Sequence, residues 1–168
     1  MMQDRNAEMD LTISRVIKAP RRVVWSAWAN PASFAQWWIP APLKCEVVTM
    51  DMRPGGGFET RMSENDGPFA PHLSACFLDV IEAERIVFTN TLLGGWRPAD
   101  AFFPAPLTAT ITFNDHPHGT EYVSYVMHGN RADREKHEEL GFHDGWGTVI
   151  EQLATLVENG GVQAGTNR

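Results

Sequence analysis

The sequence predicts an α+β fold in which one curved antiparallel sheet wraps around a long C-terminal helix. Three observations predict it. From Leu43 to His128 short alternating segments are separated by turn signals; from Ala132 to Asn159 the period becomes helical; and two short helices follow the first strand. Consecutive hairpins build an antiparallel sheet, and a lone long helix has only the sheet's apolar face to cover. A sheet curved around one helix leaves a gap at one end, where a ligand would sit.

The elements follow in order. Leu11 to Lys18 alternates as an amphipathic strand and is stopped by Ala19-Pro20. Arg21 to Asn30 reads as a short helix with Val24, Trp25 and Trp28 on one side, and Asn30-Pro31 opens a second that ends near Trp37-Trp38-Ile39-Pro40. Lys44 to Met52 is a strand ending at Pro54-Gly55-Gly56-Gly57; Phe58 to Met62 returns, and Glu64 to Pro68 turns again. Leu73 to Ile81 and Arg85 to Leu92 form a hairpin about Glu82-Ala83-Glu84, followed by a Gly/Pro-rich connection from Gly94 to Pro106. Leu107 to Phe113 alternates cleanly, with Leu107, Ala109, Ile111 and Phe113 on one face. His116 to Gly119 turns the chain, and Glu121 to His128 is the last strand. In the final helix Phe142, Trp146, Val149, Leu153 and Leu156 recur at steps of three or four, and Gly160-Gly161 is a natural stop.

The 168 residues fit a single domain with a core over about 11–159 and flexible tails at 1–10 and 160–168. With 43% hydrophobic and 21% charged residues, the chain can bury a core. A net charge of -7 without a Lys/Arg stripe argues against nucleic acid and anionic membranes as partners. No run approaches the roughly 18 apolar residues of a membrane span, and the polar N-terminus has no signal core, so a soluble, cytoplasmic protein is expected. Cys45 and Cys76 lie in apolar stretches and read as free thiols.

Several short motifs recur in a known order: Ile17-Lys-Ala-Pro20 before Val24-Trp25, Asn30-Pro31 before Trp37-Trp38, Asp51-Met-Arg-Pro-Gly-Gly-Gly57, Asp66-Gly67, Glu84-Arg85-Ile-Val-Phe88, Gly119-Thr120 and Gly145-Trp146. Together they cover residues 11–159. The set resembles the homologues of the heat-shock-protein ATPase activator's C-terminal domain, within the helix-grip superfamily of birch-pollen allergen, START domains and polyketide cyclases. The resemblance implies a cavity between sheet and final helix, which faces it at Gly145-Trp146. It also implies a small hydrophobic ligand, and leaves open a chaperone or other protein partner. The stretch 93–106 departs from the family pattern in length and in its prolines and aromatics. Fold likeness carries structure better than function.

The residues expected to line the cavity are Trp38, Phe58, Phe77, Phe88, Asn90, Trp96, Tyr125, Phe142 and Trp146, all as walls except Asn90 and Tyr125, which would supply hydrogen bonds. For any single tryptophan, core packing is the plainer explanation, and for Asn90 and Tyr125 it is satisfaction of nearby backbone. Ile86, Phe88 and Asn90 share one face of their strand. On the last strand Tyr122, Ser124, Val126 and His128 oppose Val123, Tyr125 and Met127, and the second, more uniformly apolar set is expected inward. Gly141 and Gly145 would leave space on the helix.

No metal, cofactor or catalytic residue is expected. His137 and His143, six apart, do not share a helix face; His72 and Cys76 would be about 13 Å apart along a strand; His116 and His118 flank a turn proline. His143-Asp144 are helix neighbours pointing about 100° apart, and no nucleophile elbow, Walker or dinucleotide motif is present. The reading is therefore a binder of a small, largely apolar molecule, monomeric or homodimeric. Its rivals are a protein-interaction module acting on a heat-shock ATPase and a cyclase or hydrolase working inside the cavity.

Overall fold

A computed structural model describes residues 5–160; the expectations for the outermost tails, 1–4 and 161–168, lie outside the described residues. The order of elements is β1 (Asp10–Ile17), α1 (Arg21–Ala29), α2 (Pro31–Phe34), β2 (Lys44–Met50), β3 (Gly57–Ser63), β4 (Ala70–Ile81), β5 (Arg85–Thr89), β6 (Leu92–Leu93), β7 (Arg97–Pro98), β8 (Leu107–His116), β9 (Gly119–His128), α3 (Arg131–Glu139) and α4 (Phe142–Glu158). Seven strands form one antiparallel sheet in the order β1-β9-β8-β5-β4-β3-β2, and β6 pairs with β7 as a separate hairpin.

Local chemistry accounts for the element ends. Asn30 caps α2 by accepting from the Ser33 N–H at 3.1 Å, with Pro31 in the first turn, and Asn130 caps α3 through the Asp133 N–H at 2.8 Å. The β8–β9 turn needs a glycine: Gly119 has φ 140°, and a Cβ there would lie 2.2 Å from the Ile17 carbonyl oxygen.

The core fills the concave side of the sheet. Leu107, Ala109, Ile111 and Phe113 are buried as their alternation predicted, facing Val149, Ile150, Leu153, Ala154 and Val157 of α4. Trp28, Phe34, Trp37, Phe58, Phe77 and Phe88 form a connected aromatic cluster beside them, and Trp28 Nε1–H donates to Tyr122 Oη at 2.9 Å. Burial of that hydroxyl, away from water, drives the Tyr122 pKa upward. Arg15 on β1 reaches Glu151 and Glu158, fastening α4 to the sheet edge.

Two expectations are corrected. The long C-terminal helix is broken: α3 and α4 meet at Gly141, whose φ of 99° only glycine adopts readily. The cause lies in α3, which buries only His137 and has no apolar stripe to continue that of α4. On β9 the inward set is Tyr122, Ser124, Val126 and His128, not Val123, Tyr125 and Met127. Register decides this, since Val126 lies opposite Leu11 of β1 and Ala109 of β8, both in the core. Ahead of β1, Met9 O accepts from the His128 N–H, and Asn6 N–H donates to Tyr125 Oη. No helix among the described residues is long and apolar enough to cross a membrane.

Candidate functional site

Between the sheet and α4, bordered by Phe88 of the aromatic cluster, lies a cavity of about 240 Å³. Each side contributes through a specific local feature. The 37–41 segment after α2 supplies Trp38 and Pro40, held in place by Gln152 of α4. The Gln152 amide donates to the Trp37 and Ile39 carbonyls, both at 3.0 Å, and accepts from the Ala41 N–H at 2.7 Å. On β4 a bulge intervenes: Thr60 pairs with Leu73 and Arg61 with Pro71, so His72 is the extra residue. A bulge breaks the alternation of the strand, and here both His72 and Leu73 reach the cavity. Phe103 and Pro104 from the 94–106 connection form its lip, and Phe103 is the most exposed of the large hydrophobic side chains, at 76%.

The helical wall is Gly145, Trp146 and Val149. A Cβ on Gly145 would meet no atom within 4 Å, so the glycine fronts open space rather than a close neighbour. Among the described residues no lysine, arginine or carboxylate lines the cavity. Its polar groups are Asn90, His72, His137 and the indole of Trp38.

Asn90 is already committed. Its amide donates to Ala105 O at 3.0 Å and accepts from Leu107 N–H at 2.9 Å, so it clamps the entry to β8. His72 Nδ1 lies 3.0 Å from Thr60 Oγ1, and burial pushes its pKa below the usual histidine value. His137 pairs with His128: Nδ1 of the first is 2.9 Å from Nε2 of the second, and His128 Nδ1 is 2.9 Å from the Met9 carbonyl oxygen. Desolvation, aided by His128, pushes the His137 pKa down to about 4. Burial lowers that of His128 too, outweighing the Met9 carbonyl and the Asp10 and Asp133 charges that pull it up. Trp38 Nε1–H is buried without a hydrogen-bond partner among the described residues.

Of the nine residues expected at the cavity, the structure brings four together there: Trp38, Phe88, Asn90 and Trp146. The other five lie elsewhere. Phe58 and Phe77 stack on each other at 4.7 Å inside the aromatic cluster. Phe142 is buried behind the wall, against the rings of His137 and Trp146. Trp96 is 51% exposed and covers Gly55 from outside. Tyr125 is on the convex face, where its hydroxyl bonds to Asp10 and the Arg5 guanidinium lies over its ring. Asn90 and Tyr125 thus both spend their polar atoms on the chain itself.

The histidines were missed. His128 and His137 are nine apart across a strand–helix turn, a spacing that signals nothing until the turn is built, and the bulge that brings the exposed His72 to the cavity's edge leaves no local mark. Among the described residues no three His, Cys, Asp or Glu side chains are grouped to hold a metal ion.

A curved antiparallel sheet closed by a C-terminal helix over an apolar cavity defines the helix-grip class. Within it the chain belongs to a family whose model, Activator of Hsp90 ATPase homolog 1-like protein, matches residues 18–158. A crystal structure of a protein from Nitrosomonas europaea is similar at 37% identity and TM-score 0.81, covering 92% of this chain and 97% of that one. One from Chromobacterium violaceum is 26% identical, with TM-score 0.70 and coverage of 89% and 96%. A solution structure from Arthrobacter aurescens shares the fold at 20% identity and TM-score 0.77, covering 93% and 90%. No curated protein matches the chain.

Proposed function

We propose that the protein binds a small, uncharged, largely apolar molecule in the cavity between the sheet and α4. The observation that carries this reading is the lining of the space, which among the described residues has aromatic and aliphatic walls, four polar groups and no lysine, arginine or carboxylate. Ligand sites are concave and mostly apolar, with a few placed polar atoms, and this lining fits that description. A carboxylate or phosphate would find no lysine or arginine to replace its lost hydration, so anionic ligands are disfavoured. An apolar cavity of about 150 Å³ holds benzene. The 240 Å³ here suits one or two rings, or an aliphatic chain of similar bulk.

The test is native mass spectrometry of the purified protein followed by denaturing extraction. A stoichiometric neutral organic molecule is the expected result, and its release should accompany any substitution that fills the cavity. A protein that is empty as purified and takes up no neutral one- or two-ring compound from a panel would overturn the reading.

A further inference from the structure

We propose that the unprotonated Nε2 of His137 is the recognition atom of the cavity, and that the ligand carries a matching hydrogen-bond donor, a phenolic or alcoholic hydroxyl. The inference rests on the cavity reading above and narrows it to a chemical class.

The argument is a proton count along a chain of contacts. A carbonyl oxygen only accepts, so His128 Nδ1, 2.9 Å from Met9 O, must carry hydrogen. A neutral imidazole has one N–H, which leaves His128 Nε2 as a lone pair. His137 Nδ1, 2.9 Å from that lone pair, must then be the donor. His137 Nε2 is consequently a bare acceptor. Both rings titrate below the usual histidine range, which keeps the count valid at neutral pH. The Met9 carbonyl therefore fixes the tautomer of a ring two contacts away.

The ring that carries the bare nitrogen lines the cavity. His137 is only 6% exposed and is one of the cavity's walls. Among the described residues nothing bonds to its Nε2, yet that atom is not one of the two sealed, partnerless ones, Trp38 Nε1 and Ser124 Oγ. The atom is thus not sealed within the core, and the cavity is the space its ring borders. The ring is held from behind by Phe142 at 5.1 Å and Trp146 at 6.3 Å, so it cannot turn away without unpacking the wall. A lone pair in an apolar recess favours a donor and repels carboxylate oxygen.

Two probes separate this inference from the cavity reading: 4-ethylphenol and 4-ethylanisole, of nearly equal shape, of which only the first donates. Isothermal titration should show wild type binding the phenol about five- to tenfold more tightly, the factor one net hydrogen bond supplies. His137→Phe should bind both alike. Independently of any variant, long-range ¹H–¹⁵N correlation of the intact protein should place His137 Nε2 in the unprotonated range and move it toward lower frequency with the phenol only. Equal affinity of wild type for both probes, or a protonated Nε2 at pH 7, overturns the inference and leaves the cavity reading standing. Binding of neither probe overturns both.

Discussion

Gly145→Leu separates stability from binding. Gly145 lies in the first turns of α4, where its N–H bonds to Gly141 O at 2.8 Å, so its backbone is already helical. Glycine disfavours a helix interior by up to about 1 kcal/mol against leucine or alanine. Since a Cβ here meets nothing within 4 Å, no overlap offsets that gain. In a chain of 168 residues, 1 kcal/mol corresponds to a Tm rise of about 2–4 °C. The same leucine projects into the 240 Å³ that a ligand would occupy, and affinity for a one-ring probe should fall more than tenfold. Thermal denaturation and isothermal titration on the same preparation give both quantities. A large drop in Tm would mean the space is not there. Unchanged affinity in a stable variant would mean the ligand binds elsewhere.

Three further outcomes are expected. Tyr122→Phe strands the buried Trp28 Nε1–H, now bonded at 2.9 Å, and should cost about 1–3 kcal/mol in urea denaturation, whereas Tyr125→Phe on the convex face should cost less. Gln152→Ala removes the three hydrogen bonds that hold the 37–41 segment, and should cost about 2 kcal/mol and loosen probe binding together; a loss of stability alone would show that Trp38 keeps its place without the clamp. Stability should also fall with acid before the carboxylates titrate. The folded His137 pKa of about 4 lies below the unfolded value of 6.5, so its contribution is whole above pH 6.5 and is lost as the pH falls through that window, by up to about 3 kcal/mol at the end of it. His72 and His128 shift in the same direction, while the lowered carboxyls of Asp66 and Glu158 matter only below the ordinary carboxylate range. Urea denaturation at pH 7 and pH 5 reads this, and an equal loss in His137→Phe would remove that residue as a cause.

The sheet was legible because its signals are local. Leu107, Ala109, Ile111 and Phe113 alternate with threonines, and that pattern alone fixes which face is buried. β9 offered no such asymmetry, with a tyrosine on each face, and its orientation came from register against Leu11 and Ala109, residues far away in sequence. The wall residues Trp38, Phe88 and Trp146 were readable as large apolar groups near the end of the helix. The polar half of the site was not. Asn90 borders the cavity but its amide goes to the backbone of 105–107, and His137 acquires its meaning only when the turn after β9 brings it against His128. The break at Gly141 was hidden because the polar residues before it are as good helix formers as the periodic ones after it, and the sequence does not state the glycine's φ.

The same helix serves the core and the cavity with different stretches. From Ile150 onward α4 buries Ile150, Leu153, Ala154 and Val157 against the sheet, and Arg15 fastens the outer side at Glu151 and Glu158. Before Val149 the inward side holds Gly145 and Trp146, and the helix starts behind a glycine with a left-handed backbone and no side-chain cap. Packing energy therefore accumulates in the C-terminal part, and the N-terminal part contributes little to the core apart from Phe142. A fold arranged this way can change the size and polarity of its cavity through residues 72, 103 and 137 without touching the aromatic cluster. Relatives that share the sheet at low identity are then expected to differ most at those positions, and to select different ligands in the same place.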